Sequence, residues 1–251
     1  MLIATDPSLW IRLSEVASTN DYLAQNSFPS GTVVIAEKQT AGKGRKGRDW
    51  YSRPEDSIIL SIFLSFDTYN ILERLPLIPL MTGAALLVTV DHYIKQYQLA
   101  SKVSLKWPND LYLTSGDHTG KLSGILVESD MREGRFSCII GCGLNFKGEV
   151  PGFKGYDGIS LFGDSFPSRD EFISLFIKSL NANLSELYQY DTPSFLKTIR
   201  DSFYLHEKLV MIGDICYTVR GLSDDGGLFL YDAAKNKLKT IYDTSEDMVI
   251  L

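Results

Sequence analysis

The chain has 251 residues, 44% hydrophobic and 22% charged, with 25 Lys and Arg against 31 Asp and Glu for a net charge of −6. That profile belongs to an ordinary globular protein whose core needs no disulfide or metal staple. The acidic balance argues against a general nucleic-acid binder, and 13 Phe, 13 Tyr and 3 Trp argue against disorder.

Met1–Trp10 has neither the basic start nor the apolar run of a signal peptide. Ser18-Thr19-Asn20 reads as a helix N-cap opening Asp21–Gln25. Thr32–Glu37 reads as a strand, followed by a loop rich in glycine and cations, Ala41–Arg48. Ser57–Phe66 is a strand; the longest apolar stretch, Ile58–Phe66, is broken by Ser61 and Ser65, and no segment reads as a membrane span of ~20 apolar residues. Leu77–Gln98 carries a long helical pattern. Val103–Trp107 is a short strand stopped by Pro108, and Leu111–Leu113 resumes after that corner. Leu122–Glu128 and Phe136–Gly141 read as a hairpin turning at Arg132-Glu133-Gly134. Ser168 with Glu171 fits a capping box before Phe172–Leu187, and Pro193 starts a helix that runs to about Tyr204.

After His206 the pattern becomes all-β. Leu209–Ile212, Ile215–Gly221, Leu228–Asp232 and Lys237–Ile241 are short strands between Gly/Asp turns. From Glu207 onward there are five Lys/Arg and eight Asp/Glu, a poor composition for binding nucleic acid. Helices and strands do not alternate strictly, so the fold class expected is α+β with a mixed or antiparallel sheet. The three cysteines, Cys138, Cys142 and Cys216, form no CxxC pair and have no His cluster beside them, so no metal site is expected. An odd number of thiols without a signal peptide fits a reducing cytoplasm.

The most informative stretch is Gly42-Lys43-Gly44-Arg45-Lys46-Gly47-Arg48-Asp49-Trp50. It matches GxGxxG, but Pro54 spoils the helix that a dinucleotide fingerprint needs. Arg48 and Asp49 stand where a P-loop needs Lys and Ser/Thr. What remains is a loop whose backbone can approach an anion closely, with four cations in six residues and a flat Trp beside them. Those cations repel one another unless something negative sits among them, so the loop is expected to order on an anionic ligand. A solvated basic loop is the bland alternative.

Three further clusters follow. Lys106-Trp107-Pro108-Asn109-Asp110 ends one strand and begins another, and is also compatible with a plain Asx turn. Gly120-Lys121-Leu122-Ser123-Gly124 puts a lysine between glycines at the mouth of an apolar strand. Gly141-Cys142-Gly143-Leu144-Asn145-Phe146 ends the next strand with small residues. Together they supply backbone amides, cations and amides suited to binding a triphosphate and attacking its α-phosphate.

In this order, Ser18-Thr19-Asn20, Gln39, GKGRKGRDW, KWPND, GKLSGILVE and GCGLNF resemble the motifs of the biotin–protein ligases. The resemblance runs along nearly the whole chain. It implies a mixed sheet flanked by helices, of the class II synthetase/biotin ligase kind, over residues 1–205, and a small SH3-like barrel over 206–251. It implies ATP and biotin as substrates, Mg²⁺ with the ATP, and a biotin carrier domain of a carboxylase as partner. Lys121, Arg45 and Asp110 would be catalytic, Lys121 touching both the biotin carboxylate and the α-phosphate and Asp110 orienting the incoming lysine. Ser18, Thr19, Asn20, Gln39, Lys43, Gly44, Arg45, Lys121 and Gly124 would bind biotin. Arg45, Arg48, Trp50, Asn109, Lys121 and Asn145 would bind ATP, with Trp50 over the adenine side. The motif order leaves no room for the DNA-binding domain that some relatives carry, so a monofunctional cytoplasmic enzyme is expected, monomer or homodimer, contacting neither DNA nor membrane. Lys43 and Lys46 stand where the family usually has Arg, which loses the planar fork. A lipoate or octanoate ligase or transferase of the same fold is the nearest rival.

Overall fold

The computed structural model describes residues 3–66, 69–132, 135–148, 150, 157–163, 167–189, 192–243 and 248–251. Two sheets account for its strands. The first has seven strands in the order β1-β2-β3-β7-β6-β5-β4, formed by Ile11–Leu13 (β1), Val33–Ala36 (β2), Ser57–Phe66 (β3), Ser101–Lys106 (β4), Asp110–Ser115 (β5), His118–Arg132 (β6) and Arg135–Asn145 (β7). Only β1 and β2 run parallel, so the sheet is mixed, as the irregular alternation of elements predicts. The β6–β7 hairpin forms as expected; Glu133 and Gly134 of its turn lie outside the described residues.

Each face of this sheet has its own cover. Leu77–Gln96 (α2), Arg169–Gln189 (α3) and Phe195–Asp201 (α4) pack with one face into the large core, which takes Leu60, Ile62 and Leu64 of β3 and Cys138, Ile140, Cys142 and Leu144 of β7. Thr19–Gln25 (α1) covers the other face through a small cluster of Leu23, Val34 and Ile139. Side chains alternate along a strand, so Ile139, Gly141 and Gly143 share the α1 face, which runs from apolar to bare.

The helix ends follow the sequence. Ser18 caps α1, its Oγ accepting from the Asp21 N–H at 3.4 Å. The capping box before α3 is reciprocal: Glu171 N–H donates to Ser168 Oγ at 3.1 Å and Ser168 N–H to Glu171 Oε2 at 3.0 Å. One reading changes. By length and mean hydropathy (1.5) α2 is apolar enough to cross a membrane, although the sequence showed no such segment. Its most apolar window is 78% buried between the sheet and α3, which makes it a core helix.

The second sheet is antiparallel, in the order β11-β10-β9-β8-β12. It comprises Leu209–Ile212 (β8), Ile215–Leu222 (β9), Leu228–Asp232 (β10), Lys237–Ile241 (β11) and Met248–Ile250 (β12). Sequence patterning anticipates all but β12, a three-residue strand too short to show a period. The sheet docks on the first through Trp107, whose indole N–H donates to the Gly226 carbonyl at 3.0 Å. Arg200 of α4 reaches Asp224 at 2.6 Å.

Candidate active site

The α1 face of the large sheet opens into a cleft. Its floor is β3, β6 and β7, one end is formed by the start of α1, the loop 42–50 lies over it, and Asn109 and Lys121 close the other end.

The floor is bare because glycines pair across it. Gly124 faces Gly143 across β6 and β7, and Gly141 faces Leu126 and, on β3, Ser61. A Cβ on Gly143 would stand 2.2 Å from the Trp50 ring, one on Gly141 2.4 Å from Asn20 Oδ1, and one on Gly124 3.2 Å from Lys121 Nζ. Alanine at Gly141 or Gly143 would collide with the side chain above it, and at Gly124 it would press on Trp50 and Lys121.

The polar end is a connected network. The Thr19 N–H and hydroxyl both donate to Gln39 Oε1, at 2.8 and 3.0 Å. The Ser61 hydroxyl lies 2.7 Å from Thr19 Oγ1 and 2.6 Å from Asn20 Oδ1. Asn20 Nδ2 donates to Glu128 Oε2 at 2.6 Å. Sequence reading missed Ser61 and Glu128. Ser61 is a serine in an otherwise apolar strand, fully buried, and that was its only sequence signal. Ser61→Ala is expected to cost the fold about 1–3 kcal/mol, the worth of the buried hydrogen bonds lost with Thr19 and Asn20; a lowered melting temperature checks it.

At the cationic end a β-bulge aims the key lysine. Asp110 pairs with Gly124 and Leu111 with Ser123, but Tyr112 pairs with Lys121, so the register slips at Leu122. The slip turns Lys121 onto the same face as Gly124, three residues away. There its ammonium makes an ion pair with Asp110 at 2.8 Å, both side chains largely buried. The Lys121 backbone is clamped as well: Asn145 Nδ2 donates to its carbonyl at 3.1 Å, and its N–H donates to the Asp157 carbonyl at 2.7 Å. Asn109 Nδ2 donates to the Ile125 carbonyl at 2.8 Å.

The loop is closed on itself, with Trp50 N–H donating to the Gly42 carbonyl at 2.9 Å and Lys46 at φ 58°. Its cations do not simply repel one another, as the sequence suggested, because acids arrive from outside the loop. Lys43 pairs with Asp21 of α1 at 2.6 Å, which holds its ammonium above the ordinary lysine value. Arg45 bridges Asn109 at 3.1 Å and Asp243, beyond β11.

Most of the expected residues therefore meet in one cleft: Ser18, Thr19, Asn20, Gln39, Lys43, Gly44, Arg45, Trp50, Asn109, Lys121 and Gly124. Asp110 and Asn145 act at its edge through Lys121, and Arg48 holds the loop by accepting the Gly44 N–H at 2.6 Å. Trp50 stands over the glycine floor. Its indole lies over Gly124 and Gly143, with Lys121 Nζ 5.6 Å from the ring centroid, and its buried N–H has no partner among the described residues. Cys142 packs its side chain into the helix-covered core on the opposite face of the sheet, where burial pushes its thiol up.

Residues 12–145, which hold every motif of this cleft, match the biotin/lipoate A/B protein ligase family. The chain belongs to that family. It is 34% identical over 134 residues to the bifunctional ligase/repressor BirA of Bacillus subtilis, covering 53% of this chain and 38% of that one. It is 31% identical over 229 residues to the BirA of Escherichia coli, covering 87% and 68%. The chain thus spans well under half the length of the Bacillus relative. Among solved structures, a biotin protein ligase from Aquifex aeolicus in complex with biotin and ATP superposes with a TM-score of 0.78 at 26% identity, covering 96% of this chain and 99% of that one. In this family member, the bulged lysine and the glycine floor fall within the matched residues and the second sheet lies beyond them.

Proposed function

We propose that this chain is a biotin–protein ligase, which activates biotin as biotinyl-5′-AMP and transfers it to a lysine of a carrier domain such as that of a biotin-dependent carboxylase. One observation carries the reading: a single cleft joins an amide- and hydroxyl-lined end to a cationic end across a floor of glycines. A ureido ring needs both donors and acceptors, which Thr19, Gln39 and Asn20 offer. A flat bicyclic body needs the bare floor. The carboxylate then reaches Lys121. A lipoyl or octanoyl chain has no use for the polar end.

In the first half-reaction a biotin carboxylate oxygen attacks the α-phosphorus of ATP. The bond from the α-phosphorus to the bridging oxygen breaks, and its electron pair leaves with pyrophosphate. Lys121, held in place before any ligand arrives, meets the charge that gathers at the α-phosphate. Arg45 exchanges Asp243 and Asn109 for the incoming anions, its planar fork suiting carboxylate and phosphate alike. Mg²⁺, brought with the nucleotide, would supply charge neutralisation at its phosphates, as is usual where a protein has no dedicated cage for it. In the second half-reaction the neutral carrier amine attacks the carbonyl carbon of the mixed anhydride, and the electron pair of the broken C–O bond leaves with AMP. In this reading Asp110 orients that amine and takes its proton.

Residues 1–205 form the catalytic unit of this proposal and 206–251 an SH3-like unit, a division that sheet membership supports. A monomer or a homodimer is compatible with this sheet order. Free, buried Cys138 and Cys142 suit the cytoplasm. The net charge of −6 speaks against operator binding; salt-resistant, site-specific DNA binding would overturn that part.

The test is mass spectrometry of the chain with Mg-ATP and biotin, with lipoate and octanoate in parallel. Biotinyl-AMP from biotin alone is the expected result. An adenylate only with lipoate or octanoate would move the chain to that branch of the family, and no adenylate at all would refute the ligase reading.

A further inference from the structure

The α1 face does not end at Lys121. Register carries it on through Tyr112, opposite Lys121, and Asp110, opposite both Gly124 and Lys106. Lys106, Asp110, Tyr112 and Lys121 therefore share one face, across two strand spacings of roughly 10 Å. Lys106 Nζ lies 5.0 Å from the Tyr112 ring centroid and 3.4 Å from its hydroxyl. Tyr112 stacks on Tyr204 with centroids 4.8 Å apart, and Lys208 Nζ stands 3.4 Å from the Tyr204 ring centroid.

The result is a compact row, Lys106-Tyr112-Tyr204-Lys208, beginning beside the reaction centre and ending at the start of the second sheet. Neither Lys106 nor Lys208 makes an ion pair with a carboxylate among the described residues. Burial holds the Lys106 ammonium below the ordinary lysine value; Asp110 opposes that, while Lys121, Arg48 and Lys208 add to it. Gathering Lys106, Lys121, Arg48 and Lys208 near Asp110 is unfavourable on its own and becomes favourable around a polyanion. The row is absent from the motifs' expected roles, and Lys208 and Tyr204 lie outside every motif.

We propose that Lys106 and Lys208, set on the Tyr112–Tyr204 pair, seat the β- and γ-phosphates of ATP and hold the pyrophosphate as it leaves the α-phosphorus. The inference rests on the ligase reading for its chemistry. A triphosphate whose α-phosphate meets Lys121 runs along the same face toward Lys106. Asp110 marks the boundary between the carboxylate side and this side. The tyrosine rings hold both ammonium groups by cation–π contact without neutralising them. This row also assigns a catalytic contact to the second unit, through Lys208.

The test uses inorganic pyrophosphate as the probe and three variants, Lys106→Met, Lys208→Met and the double. Pyrophosphate binding is titrated calorimetrically. Adenylate formation is then measured against ATP concentration, and transfer from premade biotinyl-AMP is measured separately. Each single variant is expected to weaken pyrophosphate binding and raise the KM for ATP about tenfold, the loss of one charge-assisted contact. The KM for biotin and the transfer step, which involves no pyrophosphate, are expected to stay within twofold. Lys208→Arg is expected to recover most of the loss. Unchanged pyrophosphate binding in Lys208→Met overturns the proposal, as does an equal fall in transfer, which would mark a structural role. If Lys106→Met does not fold, Lys208→Met, at the half-exposed end of the row, decides alone. If the wild-type chain makes no biotinyl-AMP yet binds pyrophosphate through these lysines, the ligase reading fails while the anion site stands.

Discussion

Lys121→Met is expected to slow biotinyl-AMP formation by about 10²–10³-fold, the cost of losing a preorganised charge at a developing anion. Biotin binding should weaken far less, because the Thr19–Gln39 end is untouched. The substitution also strands Asp110, whose side chain is only 20% exposed, so instability adds to the loss. A Lys121→Met/Asp110→Asn double variant removes the stranded charge. If adenylation stays low in the double variant while its melting temperature recovers, the missing cation is the cause. Single-turnover rates within a few-fold of wild type would exclude Lys121 from the chemistry.

Gly143→Ala is expected to expel Trp50 from the cleft. The added methyl would lie 2.2 Å from one indole carbon and 2.4 Å from the indole nitrogen, so the ring must leave. Overpacking of this kind costs roughly 1–3 kcal/mol; displacing the ring relieves it in the fold and moves the cost to ligand binding, a loss of about five- to 150-fold in the affinity for biotin. Alanine suits a strand at least as well as glycine, so global stability should move little. Tryptophan emission should shift red as the buried indole meets water. Unchanged emission with unchanged affinity would show that Trp50 does not form the roof. Gly141→Ala makes a useful comparison, because its methyl strikes Asn20 Oδ1 at 2.4 Å and should disturb the polar end instead.

Arg45 offers a smaller effect of opposite sign. Its partner Asp243 is 66% exposed, so Asp243→Asn should change stability by no more than about 1 kcal/mol. Freed of that partner, Arg45 should meet phosphate more readily and lower the KM for ATP a few-fold, as steady-state rates against ATP would report.

The local signals in this chain were strong wherever a short stretch decides its own structure. Ser18 before an amphipathic turn, Ser168 with Glu171, and the long run from Leu77 each specify a helix end or helix through contacts within a few residues. The clustered glycines announced a site before any fold was known. The partners of those motifs were not readable. Ser61 sits 41 residues from Asn20 and Glu128 108 residues away, and nothing local marks either as the support of that amide. The acids that quiet the loop, Asp21 and Asp243, are 22 and 198 residues from the cations they meet.

Sequence alone determined the order of motifs, the mixed α+β character and the β-rich end, because periodicity, caps and turn residues act over a few positions. Tertiary structure decided which face of the sheet carries the site, through strand register. One bulge at Leu122 turns Lys121 toward Gly124 and Asp110, since side chains alternate and a single extra residue reverses the face. It also decided that Trp50 lies over the glycine floor and that Lys208 of the second unit stands beside Tyr204, contacts between residues far apart in the chain that only packing brings together.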